Sequence, residues 1–277
     1  MRTPRFIIAG ALATLASTAA FAQPPGGFQP PPQLSPRESA QVDITGYWVA
    51  LVTEDWLWRM VTAPKGDVTS IPVNPRGRQV ANEWDLEKDN ATGEQCRAYG
   101  AAGLMRLPTR LHISWQDDNT LRIESDAGEQ TRLLQFKPGE APAEASWQGH
   151  SIASWTRATG GFDMRAIFGG APQQGPIKAG LKVETGHLRP GYLRKNGVPY
   201  SEQTALTEYF TTVQAAGHEY LTVMSVVRDP VYLSGPFVTS SQFKKEADDS
   251  NWNPRPCATE PPTRAARVPQ QAPQGAQ

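Results

Sequence analysis

The sequence has few of the residues that build metal centres and reactive-thiol sites. It contains two cysteines and four histidines in 277 residues, and none is spaced as H-x-H, HExxH or a Cys/His zinc motif. We therefore expect neither a metal nor another cofactor. Lysine plus arginine and aspartate plus glutamate number 27 each, so the chain lacks the excess positive charge that is typical of nucleic-acid-binding proteins.

Several enzyme motifs are also missing. G-x-S-x-G, G-x-x-x-x-G-K-[ST] and G-x-G-x-x-G do not occur, which disfavours a serine-elbow hydrolase, a P-loop NTPase and a dinucleotide enzyme. The 25 prolines and 24 glycines exclude a coiled coil or a long-helix protein. With 39% hydrophobic residues and eight tryptophans, however, the chain can bury one sizeable core.

The first 22 residues read as a cleavable export signal. Arg2 and Arg5 precede an apolar run over 6–20, and Ala20-Phe21-Ala22 forms an A-x-A cleavage site. The apolar run is shorter than the roughly 20 residues that a membrane-spanning helix needs. We predict cleavage after Ala22 and a periplasmic or secreted protein without a membrane span.

Composition divides the rest of the chain into three parts. Residues 23–40 are rich in proline and glycine and predict a flexible leader, whereas 41–257 carries the strand-forming segments of a single domain. Residues 258–277 have no apolar periodicity and predict a disordered tail. The only two cysteines, Cys96 and Cys257, are expected to form a disulfide in an oxidising compartment.

Strand patterns dominate the domain. The β-rich segments are 44–53, 55–62, 109–115, 120–125, 130–136, 146–156, 179–185, 205–213, 219–227 and 237–243. One helix is predicted over 75–87, with Asn74 as its N-cap. About ten mainly antiparallel strands favour an all-β barrel of eight to ten strands, because closure removes exposed edges. A β-sandwich is the alternative.

Aromatic and arginine side chains are the candidates for ligand binding. Trp56 and Trp58 alternate around Leu57, so on a strand both indoles would share one face and could wall a cavity together with Trp115. Arginine side chains could orient an anionic group of the ligand, and the candidates are Arg110, Arg132 and Arg189. Core packing of the tryptophans and solvent exposure of the arginines remain the simpler alternatives.

Three functional hypotheses follow. The first is an exported barrel that binds a small hydrophobic or aromatic molecule. The second is a cofactor-independent lyase, isomerase or hydrolase in the same cavity, with Glu208 or His112 as general base and Tyr209 or Tyr192 as acid. The third is an envelope interaction module tethered by its proline-rich ends. The oligomeric state is left open.

Two resemblances bear on the fold. Gly46-Tyr47-Trp48 is similar to the G-x-W motif that begins the barrel of lipocalins, although their T-D-Y motif is absent. Over 43–257 the chain also resembles an uncharacterised family of exported bacterial proteins, which has segments like 43–48, 189–202, 206–210 and 229–233. The resemblances imply a lipocalin-like barrel and supply no catalytic residue. Within 189–202, Arg194-Lys195-Asn196-Gly197 predicts a type I′ hairpin turn.

Overall fold

Nine strands close into a barrel in the computed structural model, which describes residues 34–137, 139–156 and 179–263. The predicted signal peptide and the leader up to residue 33 lie outside the described residues. The described strands are β1 (Gly46–Leu51), β2 (Arg110–Asp117), β3 (Thr120–Ser125), β4 (Ala127–Gly128), β5 (Gln130–Gln135), β6 (His150–Thr156), β7 (Gly180–Gly186), β8 (Gly191–Arg194), β9 (Val198–Tyr200), β10 (Ala205–Ala215), β11 (His218–Arg228), β12 (Phe237–Glu246) and β13 (Arg255–Pro256).

The barrel order is β1-β12-β11-β10-β7-β6-β5-β3-β2, and β2 closes the sheet by pairing with β1. The all-β barrel prediction is confirmed, and the sandwich alternative is wrong. Every neighbouring pair is antiparallel except β5 and β6, where Leu134 pairs with Ser151 in parallel. The chain after β5 therefore returns along the barrel before β6 begins.

Alternation along each strand sends one set of side chains into the barrel. On β2 the inward residues Leu111 and Ile113 are completely buried, and they stand opposite Ser125 and Ile123 of β3. Trp48 of the G-x-W motif is also fully buried, its indole N–H donates to the carbonyl of Ile44 at 2.9 Å, and the Lys245 ammonium lies 5.1 Å from its ring centroid. Apolar side chains from most of the barrel strands join Trp48 in one core cluster.

The segment between β1 and β2 covers one end of the barrel, here called the capped end. It contains α1 (Trp56–Met60), α2 (Pro75–Glu83), α3 (Leu86–Ala91), a 3₁₀ helix (Gln95–Tyr99) and α4 (Ala101–Leu104). Ala101 and Ala102 pack in one apolar cluster with Leu206, Val227 and Phe237, which stand where β10, β11 and β12 meet this end. Among the described helices none is long and apolar enough to cross a lipid bilayer.

The strand predicted over 55–62 is wrong, because residues 56–60 form α1. A tertiary contact decides the local structure. Arg59 is buried and its Nε donates to the carbonyl of Arg106 at 2.7 Å, while Arg106 pairs with Asp55 at the helix start at 2.7 Å. The alternation of Trp56 and Trp58 is therefore not the pattern of a strand face.

The helix predicted over 75–87 is confirmed for its first part and ends at Glu83. Asn74 caps it, since its side-chain oxygen accepts from the Gly77 N–H at 2.9 Å, and its amide nitrogen donates to the Val231 carbonyl at 3.0 Å. We expect Asn74→Ala to lower the free energy of unfolding by about 1 kcal/mol, because a helix donor loses its acceptor. Urea denaturation measures this change, and Asn74→Asp, which keeps the cap oxygen, should lose less.

The turn between β8 and β9 differs from the predicted type I′ turn. Only Gly197 in this turn has a positive φ, of 79°, whereas type I′ needs two such residues. Asn196 is completely buried, and its amide donates to the carbonyls of Pro64 and Asp67 at 2.9 and 2.8 Å. These two hydrogen bonds hold Asn196 against the segment between β1 and β2. Three residues, 195–197, therefore connect Arg194 to its strand partner Val198, instead of the two residues of a type I′ turn.

The C-terminal segment is fastened to the barrel by a disulfide between Cys96 and Cys257, whose Cα atoms are 5.1 Å apart. Beside it, β13 pairs in parallel with β4. The chain stays in contact beyond Cys257, since the Thr263 N–H donates to the Thr62 carbonyl at 2.9 Å. The start of the predicted tail is thus hydrogen-bonded to the folded body through Thr263, while the disorder predicted for residues 264–277 concerns positions outside the described residues.

Candidate functional site

A buried ion pair lies inside the barrel. Arg132 of β5 and Glu208 of β10 have side chains that are 0% exposed, and Arg132 Nη2 lies 2.7 Å from Glu208 Oε2. The same nitrogen donates to the hydroxyls of Thr185 at 3.2 Å and Ser151 at 3.4 Å. The structure thus joins a predicted ligand-orienting arginine to a predicted general base. The folded state needs both side chains of this pair, because either charge buried alone would be strongly destabilising.

Polar side chains continue this pair around the inner wall. Glu208 stands directly opposite Ser225 of β11, and Ser225 stands opposite Thr239 of β12, so all three face inward. We call the set contributed by six adjacent strands the polar belt, and its members are Arg132, Ser151, Thr185, Glu208, Ser225 and Thr239. The belt lies between the apolar cluster of the barrel and that of the capped end.

The belt leaves hydrogen-bonding capacity unused. Among the described residues, Nε and Nη1 of Arg132 and Oε1 of Glu208 are buried without a partner. Buried polar atoms are nearly always hydrogen-bonded, because an unpaired donor or acceptor costs about 1–3 kcal/mol. The interior therefore offers two donors and one acceptor to water or to a polar group of a ligand.

Aromatic side chains occupy the opposite end of the barrel, here called the aromatic end. Trp115 of β2 and Phe136 beyond β5 have ring centroids 5.6 Å apart, and Trp155 of β6 lies 5.1 Å from Phe136 and 6.3 Å from Trp115. The Trp155 indole N–H donates to the carbonyl of Pro36 at 2.8 Å. This hydrogen bond fixes Pro36, which belongs to the described part of the predicted leader, at the aromatic end.

A cleft of about 330 Å³ opens at the aromatic end. Its apolar walls come from Val42, Ile44, Trp115, Leu121 and Trp155. The two charged groups on its rim already have partners, since Arg37 lies 3.8 Å from Asp118, and Asp43 accepts from the Thr45 hydroxyl at 2.7 Å. An apolar or aromatic molecule can therefore enter without leaving a buried charge unpaired.

A second cleft of about 430 Å³ lies beneath the C-terminal segment and includes Arg110. Two of its three cationic side chains, Arg110 and Lys195, are paired with carboxylates, whereas Arg255 forms no ion pair within the described residues. Arg110 Nε donates to Glu246 at 2.9 Å, and Lys195 pairs with Glu260 at 2.9 Å. This cleft is larger, but Arg110, the predicted ligand residue in it, is already paired with Glu246.

His112 and Glu208 lie on opposite faces of the barrel sheet. His112 follows the inward Leu111, so it points outward, stacks on Tyr47 with centroids 4.3 Å apart, and lies 3.0 Å from Glu124 through Nδ1. A catalytic site that uses both His112 and Glu208 in one cavity is therefore excluded.

The two candidate acids are separated from Glu208 as well. Tyr192 of β8 stands outside the barrel strands, and its buried hydroxyl donates to both carboxylate oxygens of Asp89, at 2.9 and 3.1 Å. Burial raises the pKa of Tyr192 further from neutrality, so its proton is harder to release. Tyr209 follows Glu208 directly in β10 and so faces the outer side of the sheet.

The remaining predicted ligand residues also lie outside the interior. Trp56 of α1 is 62% exposed, and Trp58 is half-buried in the same helix. Arg189 lies 4.5 Å from the ring centroid of Trp147 and pairs with Glu94. Of the six predicted ligand-binding side chains, only Arg132 and Trp115 face into the barrel.

Sequence reasoning missed several residues of these sites. The hydroxyls of Ser151 and Thr185 were not singled out, because a lone serine or threonine in a strand carries no distinguishing pattern. Glu208 had a detectable signal, since it stands between two apolar residues on one strand face, whereas Arg132 shares its face with Gln130 as well as Leu134. For Glu208 the flanking residues on that face are Leu206 and Phe210.

Comparisons with models of known protein families, with curated proteins and with solved structures give no significant match for this chain.

Proposed function

We propose that this protein is an exported small-molecule-binding barrel whose ligand is an apolar or aromatic molecule held at the aromatic end. The observation that supports this most directly is the cleft of about 330 Å³ between Trp115, Trp155 and Leu121. Small-molecule sites are typically concave, of about 300–1,000 Å³, and walled by apolar and aromatic side chains. The volume suits a molecule of one or two rings.

The placement of the other candidates favours binding over catalysis. The four proposed catalytic side chains do not meet, because Glu208 is inside the barrel, His112 and Tyr209 are on its outer face, and Tyr192 is bonded to Asp89. The cleft also has an aromatic wall that is held in place. Trp155 contributes to this wall, and its indole N–H donates to the carbonyl of Pro36.

The test is a fluorescence titration with N-phenyl-1-naphthylamine, a neutral aromatic probe. We expect Trp155→Ala to weaken probe binding at least about tenfold, or about 1.4 kcal/mol, because the probe loses an aromatic wall. Trp56→Ala is the matched control, since it removes an exposed indole outside the barrel. Circular dichroism establishes that both variants are folded.

Equal affinities for the two variants and the wild type would contradict the proposal, as would a wild type that binds no probe. A loss of probe affinity that is confined to Trp56→Ala would indicate that the apolar binding surface lies at α1.

A further inference from the structure

Large apolar side chains are exposed together on one side of α1. Trp56 is 62% exposed, Met60 51% and Leu57 42%. With 3.6 residues per turn, these three positions fall within about 100° of the helix circumference, whereas Arg59 on another side of the helix is buried. Single exposed apolar residues are common on protein surfaces, but a contiguous group of them indicates an interaction site.

A cleft of about 360 Å³ lies on the outer wall of the barrel. Outward-facing side chains of three adjacent strands line it, namely Tyr209 and Thr211 of β10, Thr222 and Met224 of β11, and Val238 and Ser240 of β12. Val238 is itself 38% exposed. The cleft therefore adds a concave, partly apolar feature to the outside of the barrel.

Glu54 connects this cleft with α1. It lines the cleft, and its carboxylate accepts from the Ser240 N–H at 3.4 Å. Trp56 follows two residues later, so the Cα atoms of Glu54 and Trp56 are at most about 7 Å apart. The exposed side of α1 and the cleft are therefore neighbouring parts of one surface. We call this surface the outer patch, and its apolar residues are Trp56, Leu57, Met60 and Val238.

The area of the outer patch matches what a stable dimer needs. Its four apolar residues together expose about 400 Å², since large apolar side chains have total areas of about 150–250 Å². A standard protein interface buries about 800 Å² on each partner, and a little more than half of that area is apolar. The four residues thus supply about the apolar area of one side of such an interface.

We propose that the outer patch is the interface of a homodimer, in which Trp56 of each copy inserts into the cleft of the other copy. The protruding indole and the cleft lie side by side, so a two-fold axis places each of them against its counterpart. Trp56 does not line the cleft of its own chain. This interface lies outside the barrel and is separate from the aromatic cleft.

The size and the chemistry of the cleft fit an indole. Its volume of about 360 Å³ is within the range of sites that hold one or two rings. A buried indole also needs an acceptor for its N–H, and Glu54 and the threonine hydroxyls of the cleft wall supply acceptors. An unrelated partner would have to match both a protrusion and a hollow, whereas a second copy presents both.

The test is sedimentation equilibrium of the purified protein at concentrations from about 0.1 to 100 µM. We expect a dimer with a Kd of about 1 µM or tighter. Trp56→Ala should weaken dimerisation at least about thirtyfold, because aromatic residues in interface pockets dominate affinity and a symmetric dimer loses this contact twice.

Val238→Glu tests the cleft, because it adds a negative charge beside Glu54 at a position that is exposed in the monomer. We expect it to weaken dimerisation at least about thirtyfold as well. Val213→Glu is the matched control, since Val213 is 39% exposed on β10 and does not line the cleft. The strand partners of Val213 and Val238 are six residues apart on β11, which separates the two positions by about 20 Å. Circular dichroism establishes that all variants are folded.

A mixture of Trp56→Ala and Val238→Glu tests the reciprocal arrangement. In a mixed dimer the intact Trp56 of the Val238→Glu copy faces the intact cleft of the Trp56→Ala copy. One of the two insertions is therefore retained, whereas each variant alone retains none. We expect the mixture to associate at least about tenfold more tightly than either variant alone.

Three results would overturn the proposal. A wild type that stays monomeric up to about 100 µM excludes the homodimer and leaves the outer patch to a different partner. Equal weakening by Val238→Glu and Val213→Glu, or no weakening by Trp56→Ala, places the dimer contact elsewhere on the surface. A mixture that associates no more tightly than its components excludes the reciprocal insertion of Trp56.

Discussion

Glu208→Leu is expected to lower the free energy of unfolding by about 3–5 kcal/mol, because it leaves the Arg132 guanidinium buried and unpaired. Both side chains are completely buried, so bulk solvent does not reach the Arg132 guanidinium to stabilise its charge. Urea denaturation monitored by circular dichroism measures the change. Glu184→Leu on β7 is the matched control, since Glu184 is 59% exposed beside Lys182 and its loss should cost at most about 1 kcal/mol.

The double variant Arg132→Met/Glu208→Leu separates electrostatics from packing. We expect it to regain most of the lost stability, because apolar residues of similar volume often replace a buried ion pair without cost. A double variant that is as unstable as Glu208→Leu would show that the pair acts through shape and hydrogen bonds to Ser151 and Thr185 instead. If the double variant is more stable than the wild type, the pair is retained at a cost to stability, as expected of a functional group.

The second large effect concerns the disulfide. Cys96→Ser/Cys257→Ser is expected to lower the free energy of unfolding by about 2–5 kcal/mol, because the bridge closes a chain segment of 161 residues in the unfolded state. The local effect should be a loss of hydrogen-exchange protection at the N–H groups of Arg255 and Thr263, which donate to Asp126 and Thr62.

Reduction of the wild type provides the control for this prediction. Dithiothreitol should bring the wild type to the stability of the double variant and leave the double variant unchanged. A change below about 1 kcal/mol would mean that β13 and the contacts of 258–263 hold the C-terminal segment without the bridge.

The barrel was predictable because its strands repeat a simple local pattern. β2 and β3 are joined by a short turn, and Leu111 and Ile113 of β2 and Leu121 and Ile123 of β3 alternate with outward residues. The parallel pairing of β5 with β6 was not predictable. It depends on the return of the chain to the capped end, where the Trp147 and Ser146 carbonyls accept from Ala101 and Arg189.

The candidate sites were only partly predictable. Arg132 and Glu208 were each selected from the sequence, but for different roles, one as a ligand-binding residue and the other as a general base. Nothing in the sequence indicated that their side chains contact each other. They are 76 residues apart and come together because closure of the barrel faces β5 toward β10. The tryptophans of α1 show the reverse case, since their alternation predicted a strand and the burial of Arg59 produced a helix.

By itself, the sequence determined the strand-rich barrel, the cap at Asn74 and the pairing of the only two cysteines. These features depend on local periodicity, on adjacent turn residues, or on there being only one possible cysteine partner. The tertiary structure decided which face of each strand turns inward and which charges are buried together. These outcomes depend on contacts between residues far apart in the chain, because the desolvation and pairing of a charge are set by every element packed around it.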